Sequence, residues 1–187
     1  MSRFPAVTFV AVLAAAAVGA GPRARADEQI YSYEPASPEA RAFAATGLSF
    51  EFERRLMGGA HIHRVIQTGE QGAAEVKAAG EGELGDGGFR TALAGARPAG
   101  GLYRIASGLD GEAFVRAICP GSDKAWLAIG PLQRFQDLRV QAMGRADGAP
   151  SAHLCVTLDF TYRNDWRLPP RTPPRVRYPT RPLPTGR

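Results

Sequence analysis

Residues 153–162, HLCVTLDFTY, carry the clearest structural signal in the chain. Leu154, Val156, Leu158, Phe160 and Tyr162 share one face of an extended strand, and His153, Cys155, Thr157, Asp159 and Thr161 share the other. Side chains alternate across a strand, so this period of two marks a half-buried β-strand. The same pattern recurs upstream, where Leu48, Phe50, Phe52 and Leu56 alternate with Ser49, Glu51, Glu53 and Arg55. Gly58-Gly59 then signals a hairpin, with 62–68 as the return strand. A two-residue loop sets Phe52 opposite Val65. A three-residue loop with a bulge at glycine sets Phe52 opposite Ile66 and Leu56 opposite Ile62, which packs better although it faces Arg54 with Arg64.

Further strands follow from the same reasoning. Residues 74–78 read as a short strand, and the apolar run 125–129 as a central one. Leu138, Val140 and Ala142 alternate with Arg139 and Gln141. Two helices interrupt them. Ser37-Pro38-Glu39 supplies a cap, a proline for the first helical position and an acid for the positive end, and Gly47 ends the run. Residues 110–119 form the second, with Asp110 as its cap and Phe114, Val115 and Ile118 along one stripe. The Gly-rich stretch 80–88 reads as a mobile loop. The fold class expected is α+β with β dominant: a small antiparallel sheet or sandwich of about six to eight strands carrying two short helices.

Both ends of the chain differ from this body. Residues 1–26 follow the plan of a signal peptide, with Arg3, an uncharged apolar stretch over 4–20, and Ala24-Arg25-Ala26 for cleavage. The apolar stretch is shorter than the roughly 20 residues of a spanning helix. Residues 167–187 hold seven prolines, six arginines and no acid, a composition for a disordered or polyproline arm. A single domain is therefore expected over 27–166. The chain has a net charge of +5, of which three arginines fall in 1–26 and six in 167–187, so the body is at −4. An acidic body argues against nucleic-acid binding. Arg outnumbers Lys and Ala and Gly abound, a bias of GC-rich bacterial coding, so the expected compartment is the periplasm or the exterior.

The two cysteines, Cys119 and Cys155, are expected to form one disulfide, as suits an oxidising compartment. That pairing requires the end of the second helix to cover the polar face of strand 153–162.

Motifs for chemistry are sparse. Gly80-Glu81-Gly82-Glu83-Leu84-Gly85 matches a dinucleotide fingerprint, but its two acids oppose a phosphate and no strand–turn–helix unit surrounds it. His61 and His63 share a strand face and are the only metal candidates, with Glu51, Glu53 or His153 as a third ligand; Arg55 and Arg64 crowd them. Ser122 and Lys124 read as turn residues rather than a catalytic pair. Trp126 and Trp166 read as core residues, with the mouth of a ligand site as a second place for Trp166. No cofactor and no catalytic residue is assigned.

The function expected is that of an exported, non-enzymatic envelope domain that binds a protein or an anionic envelope component. Arg171, Arg175, Arg177 and Arg181 of the basic arm are the candidate contacts to an anionic surface. The alternatives are a carrier of a small apolar ligand in a β cavity, and a metal-dependent or hydrolytic enzyme.

Overall fold

The computed structural model describes residues 28–54, 59–69 and 72–168. The proposed signal peptide and most of the basic arm, including Arg171, Arg175, Arg177 and Arg181, lie outside the described residues. Eight strands follow one another: β1 (Glu28–Pro35), β2 (Leu48–Arg54), β3 (Ala60–Gln67), β4 (Ala73–Ala78), β5 (Gly101–Ile105), β6 (Lys124–Ile129), β7 (Leu138–Arg145) and β8 (His153–Arg167). Each pairs antiparallel with the next, and β8 returns to β1, so the sheet closes into a barrel.

This closure corrects the expectation of a small open sheet or sandwich. Alternation shows that a strand has one apolar face, but not whether that face meets a second sheet or the far wall of its own. The deciding strand is β1, which precedes the first helix and is not among the strands expected from the sequence. Its inward side chains are Tyr31 and Tyr33, both 1 % exposed. β8 is 15 residues long and serves two neighbours: residues from His153 to Phe160 pair with β7, and residues from Phe160 to Arg167 pair with β1.

The barrel's interior is apolar and its exterior is charged. Glu51 stands opposite Arg64 and Arg64 opposite Glu75 on the outer face; Arg139 Nε donates to Asp159 Oδ1 at 2.7 Å. This is the reverse of a membrane-spanning barrel, which turns its apolar face outward. Among the described residues no helix is long and apolar enough to cross a membrane.

The β2–β3 hairpin differs from both registers read in the sequence. Phe52 faces Ile62 and Phe50 faces Val65, with the irregularity between Glu51 and Phe52 rather than at glycine. Arg54 pairs with Ala60, and Leu56 lies outside the described residues. The strands expected at 74–78, 125–129, 138–142 and 153–162 are present.

One end of the barrel is plugged. α1 (Pro38–Phe43) links β1 to β2 and α3 (Leu109–Ile118) links β5 to β6, both at this end. Ser37 caps α1 as expected, its Oγ accepting from Ala40 N at 3.1 Å. α3 instead starts at Gly108 without a side-chain cap; Asp110 lies within its first turn, where the charge still favours the helix end. Phe43 and Phe114 meet edge to face at 5.3 Å. Ala40, Ala44, Phe114, Val115 and Ile118 join the barrel's own core.

The disulfide Cys119–Cys155 fastens this plug, with Cα atoms 5.3 Å apart. The helix does not cover the outer face to reach Cys155. A bulge between Ala142 and Met143 places one extra residue in β8 and turns Cys155 toward the plug, where it packs against the core; Leu154 then falls on the outer side. Gly144 makes room for this crossing: a Cβ there would lie 2.2 Å from Ser122 Oγ and 2.8 Å from Cys155 Sγ.

The β4–β5 connection is also structured, contrary to the mobile loop read in the sequence. It contains a 3-10 turn (Glu81–Leu84) and α2 (Gly88–Ala92). Leu84, Ala92 and Leu93 lie over Trp126, Ala128 and Met143 on the outside of the barrel, forming a second small core. Periodicity across a strand does not register an outer apolar patch that a distant segment covers.

Candidate functional site

The end opposite the plug is open. A cavity of about 620 Å³ lies inside this mouth, bounded by the start of β3, the start of β5 and the β6–β7 loop. Two features of the sequence create it. On the β1, β2 and β8 side the interior is filled by interlocked rings: Tyr31 and Phe52 are 4.8 Å apart, Tyr33 and Phe50 5.8 Å, Tyr33 and Tyr162 5.8 Å. On the opposite wall the inward positions nearest the mouth are Ala60 and Gly101, which leave space unfilled. The cavity wall beneath is Ile62, Tyr103, Ile129 and Leu132.

The charged side chains of the described lining are Arg54 and Arg134. Arg54 ends β2 at an inward position, and its guanidinium lies 5.7 Å from the Tyr31 ring and 6.0 Å from the Phe52 ring. Arg54 Nε donates to Gln29 Oε1 at 3.1 Å, and Nη2 donates to the Tyr31 hydroxyl. The Tyr103 hydroxyl donates to the Ala60 carbonyl at 3.1 Å, tying the two walls of the cavity together.

A second group stands on the other side of Tyr31, which pairs with Asp165 across the β1–β8 ladder. Arg134 Nη2 donates to Asp165 Oδ2, and the Tyr162 hydroxyl donates to Asp165 Oδ1 at 2.6 Å. The Tyr162 hydrogen bond, helped by Arg134, holds the Asp165 carboxyl below the usual carboxylate range. The Tyr162 phenol is pushed up to about 12, first by desolvation and then by its bond to the carboxylate. Tyr33, deeper in the barrel, is raised further by burial. Phe135 is 83 % exposed at this end, its ring 5.3 Å from that of Tyr162. Trp166, which follows Asp165 in the sequence, is 52 % exposed and is not part of the described cavity lining.

The residues singled out in the sequence lie elsewhere. His61 and His63 are close, with ring centroids 4.6 Å apart, and His63 Nε2 is 3.7 Å from Glu53 Oε1. His153 begins β8 at the plugged end, so it does not join them, and among the described residues no group of three His, Cys, Asp or Glu is placed to hold a metal ion. Ser122 and Lys124 do not meet as a pair: Ser122 Oγ is buried beside Gly144, while Lys124 Nζ is 3.7 Å from Asp147. The two acids of the glycine motif have structural partners. Glu81 Oε1 accepts from Phe89 N at 2.9 Å and so caps α2, and Glu83 is 3.6 Å from Arg104.

Sequence reading missed the rim. Its signal is visible for Arg54, which continues the inward series Leu48, Phe50, Phe52 with a charge. Asp165 carries no such signal, because a bulge near Tyr33 shifts the phase of β8 before it.

Fold and site together define a closed up-and-down barrel, plugged at one end, with an open cavity at the other. Eight strands are the size at which a barrel interior is either filled or holds one small ligand. Comparison with protein-family models, with curated proteins and with solved structures gives no match.

Proposed function

We propose that this chain is an exported, non-enzymatic carrier that holds one small amphipathic molecule in the open end of its barrel. The observation that carries the reading is the open pocket of about 620 Å³, in which Ile62, Ile129 and Leu132 lie beside Arg54 and Arg134; ligand sites commonly run from roughly 300 to 1,000 Å³. The three-part pattern of residues 1–26 and the Cys119–Cys155 disulfide support the exported compartment. A closed barrel has no free sheet edge, so a partner cannot dock by adding a strand to it.

The test is calorimetric titration of the protein with dodecanoate, dodecanol and dodecyltrimethylammonium, each below its micelle-forming concentration. At least one binds at a single site, and Ala60→Trp, which fills the mouth from an inward position, abolishes that binding while the barrel still melts cooperatively. Binding of none of the three, or binding that survives Ala60→Trp, overturns the carrier reading.

A second reading, attachment to an anionic envelope component, is favoured by the concentration of arginine beyond β8, including Arg171, Arg175, Arg177 and Arg181. Truncation after Leu168 tests it. Equal sedimentation of the intact and truncated proteins with anionic vesicles refutes it.

A further inference from the structure

We propose that the molecule held in the mouth ends in a carboxylate, and that Arg54 is the residue that recognises it. The inference rests on the carrier reading and adds the chemistry of the ligand's polar end. The lining of the cavity sets the sign of charge: among the described residues it includes Arg54 and Arg134 and no acidic residue. The two cations differ in what they have left to offer. Arg134 is committed to Asp165, whose other oxygen is taken by Tyr162. Arg54 is held by the neutral groups of Gln29 and Tyr31, which fix its direction without cancelling its charge.

The geometry of the fork narrows the choice further. A guanidinium has five N–H donors. Gln29 takes the one on Nε and Tyr31 takes one on Nη2. Among the described residues the edge formed by Nη1 and the second Nη2 hydrogen is left open, and this end-on edge can meet a carboxylate through two parallel bonds. The rings of Tyr31 and Phe52 support the guanidinium from within the barrel. Ile62, Ile129 and Leu132 continue the cavity beyond it with apolar surface for a chain. A chain-bearing carboxylate thus meets its complement at both ends: two aligned donors at the rim and these apolar side chains behind.

The experiment compares dodecanoate with dodecanol, which share the chain and differ in the charged end, on the intact protein. Dodecanoate binds at least about tenfold more tightly than dodecanol to the unaltered protein. In Arg54→Gln the two bind within about twofold of each other, because the loss falls on dodecanoate alone. Arg139→Gln, at an exposed arginine bonded to Asp159 outside the cavity lining, leaves the preference in place. As a readout that needs no variant to fold, the Arg54 Nε–H resonance of labelled protein shifts with dodecanoate and not with dodecanol. Equal binding of the two by the unaltered protein, a preference that survives Arg54→Gln, or a silent Arg54 resonance overturns the proposal while leaving the carrier reading standing. Absence of binding by every probe strikes the carrier reading itself, and the assignment of Arg54 falls with it.

Discussion

At the plugged end of the barrel two helices, a disulfide and the rings of Phe43 and Phe114 fill the lumen; at the open end inward alanine and glycine leave it empty, and Arg54 and Arg134 line the gap. The strands are shared by both ends, so the contrast comes from the residues placed at each end of every strand and from the connections. Connections at the plugged end carry α1 and α3. At the open end the β6–β7 loop skirts the mouth, and the long β4–β5 connection runs along the outside of the wall instead of across the opening. One end is closed by packing, and the other is left open, as the proposed carrier role requires.

The largest effect is expected from removing the disulfide. Its loop spans 36 residues, and replacing both Cys119 and Cys155 by serine is expected to cost about 4 kcal/mol in the chain-entropy account. Denaturant unfolding of the oxidised, reduced and substituted proteins measures this, and equal midpoints would mean that the helices hold the plug unaided. The paired substitutions Phe114→Ala and Leu132→Ala sharpen the contrast. Phe114 is 3 % exposed within the plug, and its loss is expected to cost about 3 kcal/mol. Leu132 is 6 % exposed but borders space that is already open, so about 2 kcal/mol is expected, with a change in ligand binding that Phe114→Ala does not show. A reversed order of the two would show that the open end carries more of the stability than its packing implies.

Smaller effects concern the rim. Asp165 has its folded-state pKa lowered by Tyr162 and Arg134. Its contribution is therefore complete above the unfolded carboxyl's value near ~3.9 and is lost as pH falls through the lower folded value. Arg134 is half exposed, so Asp165→Asn is expected to cost only about 1 kcal/mol at neutral pH and to flatten the acid limb of the stability profile. An acid limb of unchanged slope would remove Asp165 from the rim's electrostatics. Least in energy, Tyr162 with its pKa at about 12 and Tyr33 raised further lag behind ordinary phenols in an alkaline ultraviolet titration. Stabilisation from keeping them neutral is full below about 10 and is lost as pH rises through the folded values. Phenolate appearing for all five tyrosines of the chain near 10, before unfolding, would contradict their burial.

The same contrast explains what could be read in the sequence. The plugged end was legible because its signals are local: Ser37 beside Pro38 caps α1, Phe114, Val115 and Ile118 share a helical stripe, and an even pair of cysteines suggests a bridge. The strands were legible wherever alternation was unbroken. The closure was not, because it depends on β1, an eight-residue strand not among those expected, meeting β8. The bulges in β8 erased the phase relation that would have placed Cys155 and Asp165 inward. The cavity is invisible to a periodic pattern, since it arises where inward positions hold Ala60 and Gly101, and a small residue reads the same whether its space is filled by a neighbour or left open. Arg54 was the available clue, a charge in the apolar series of its strand.

The division of labour between the ends is tested most directly by amide hydrogen exchange with and without dodecanoate. The account predicts slowed exchange confined to the mouth: the start of β3, the start of β5 and the β6–β7 loop through Arg134, with α1, α3 and the start of β8 unchanged. Slowed exchange at the helices of the plug, or none at the mouth under conditions where dodecanoate is bound, would contradict it.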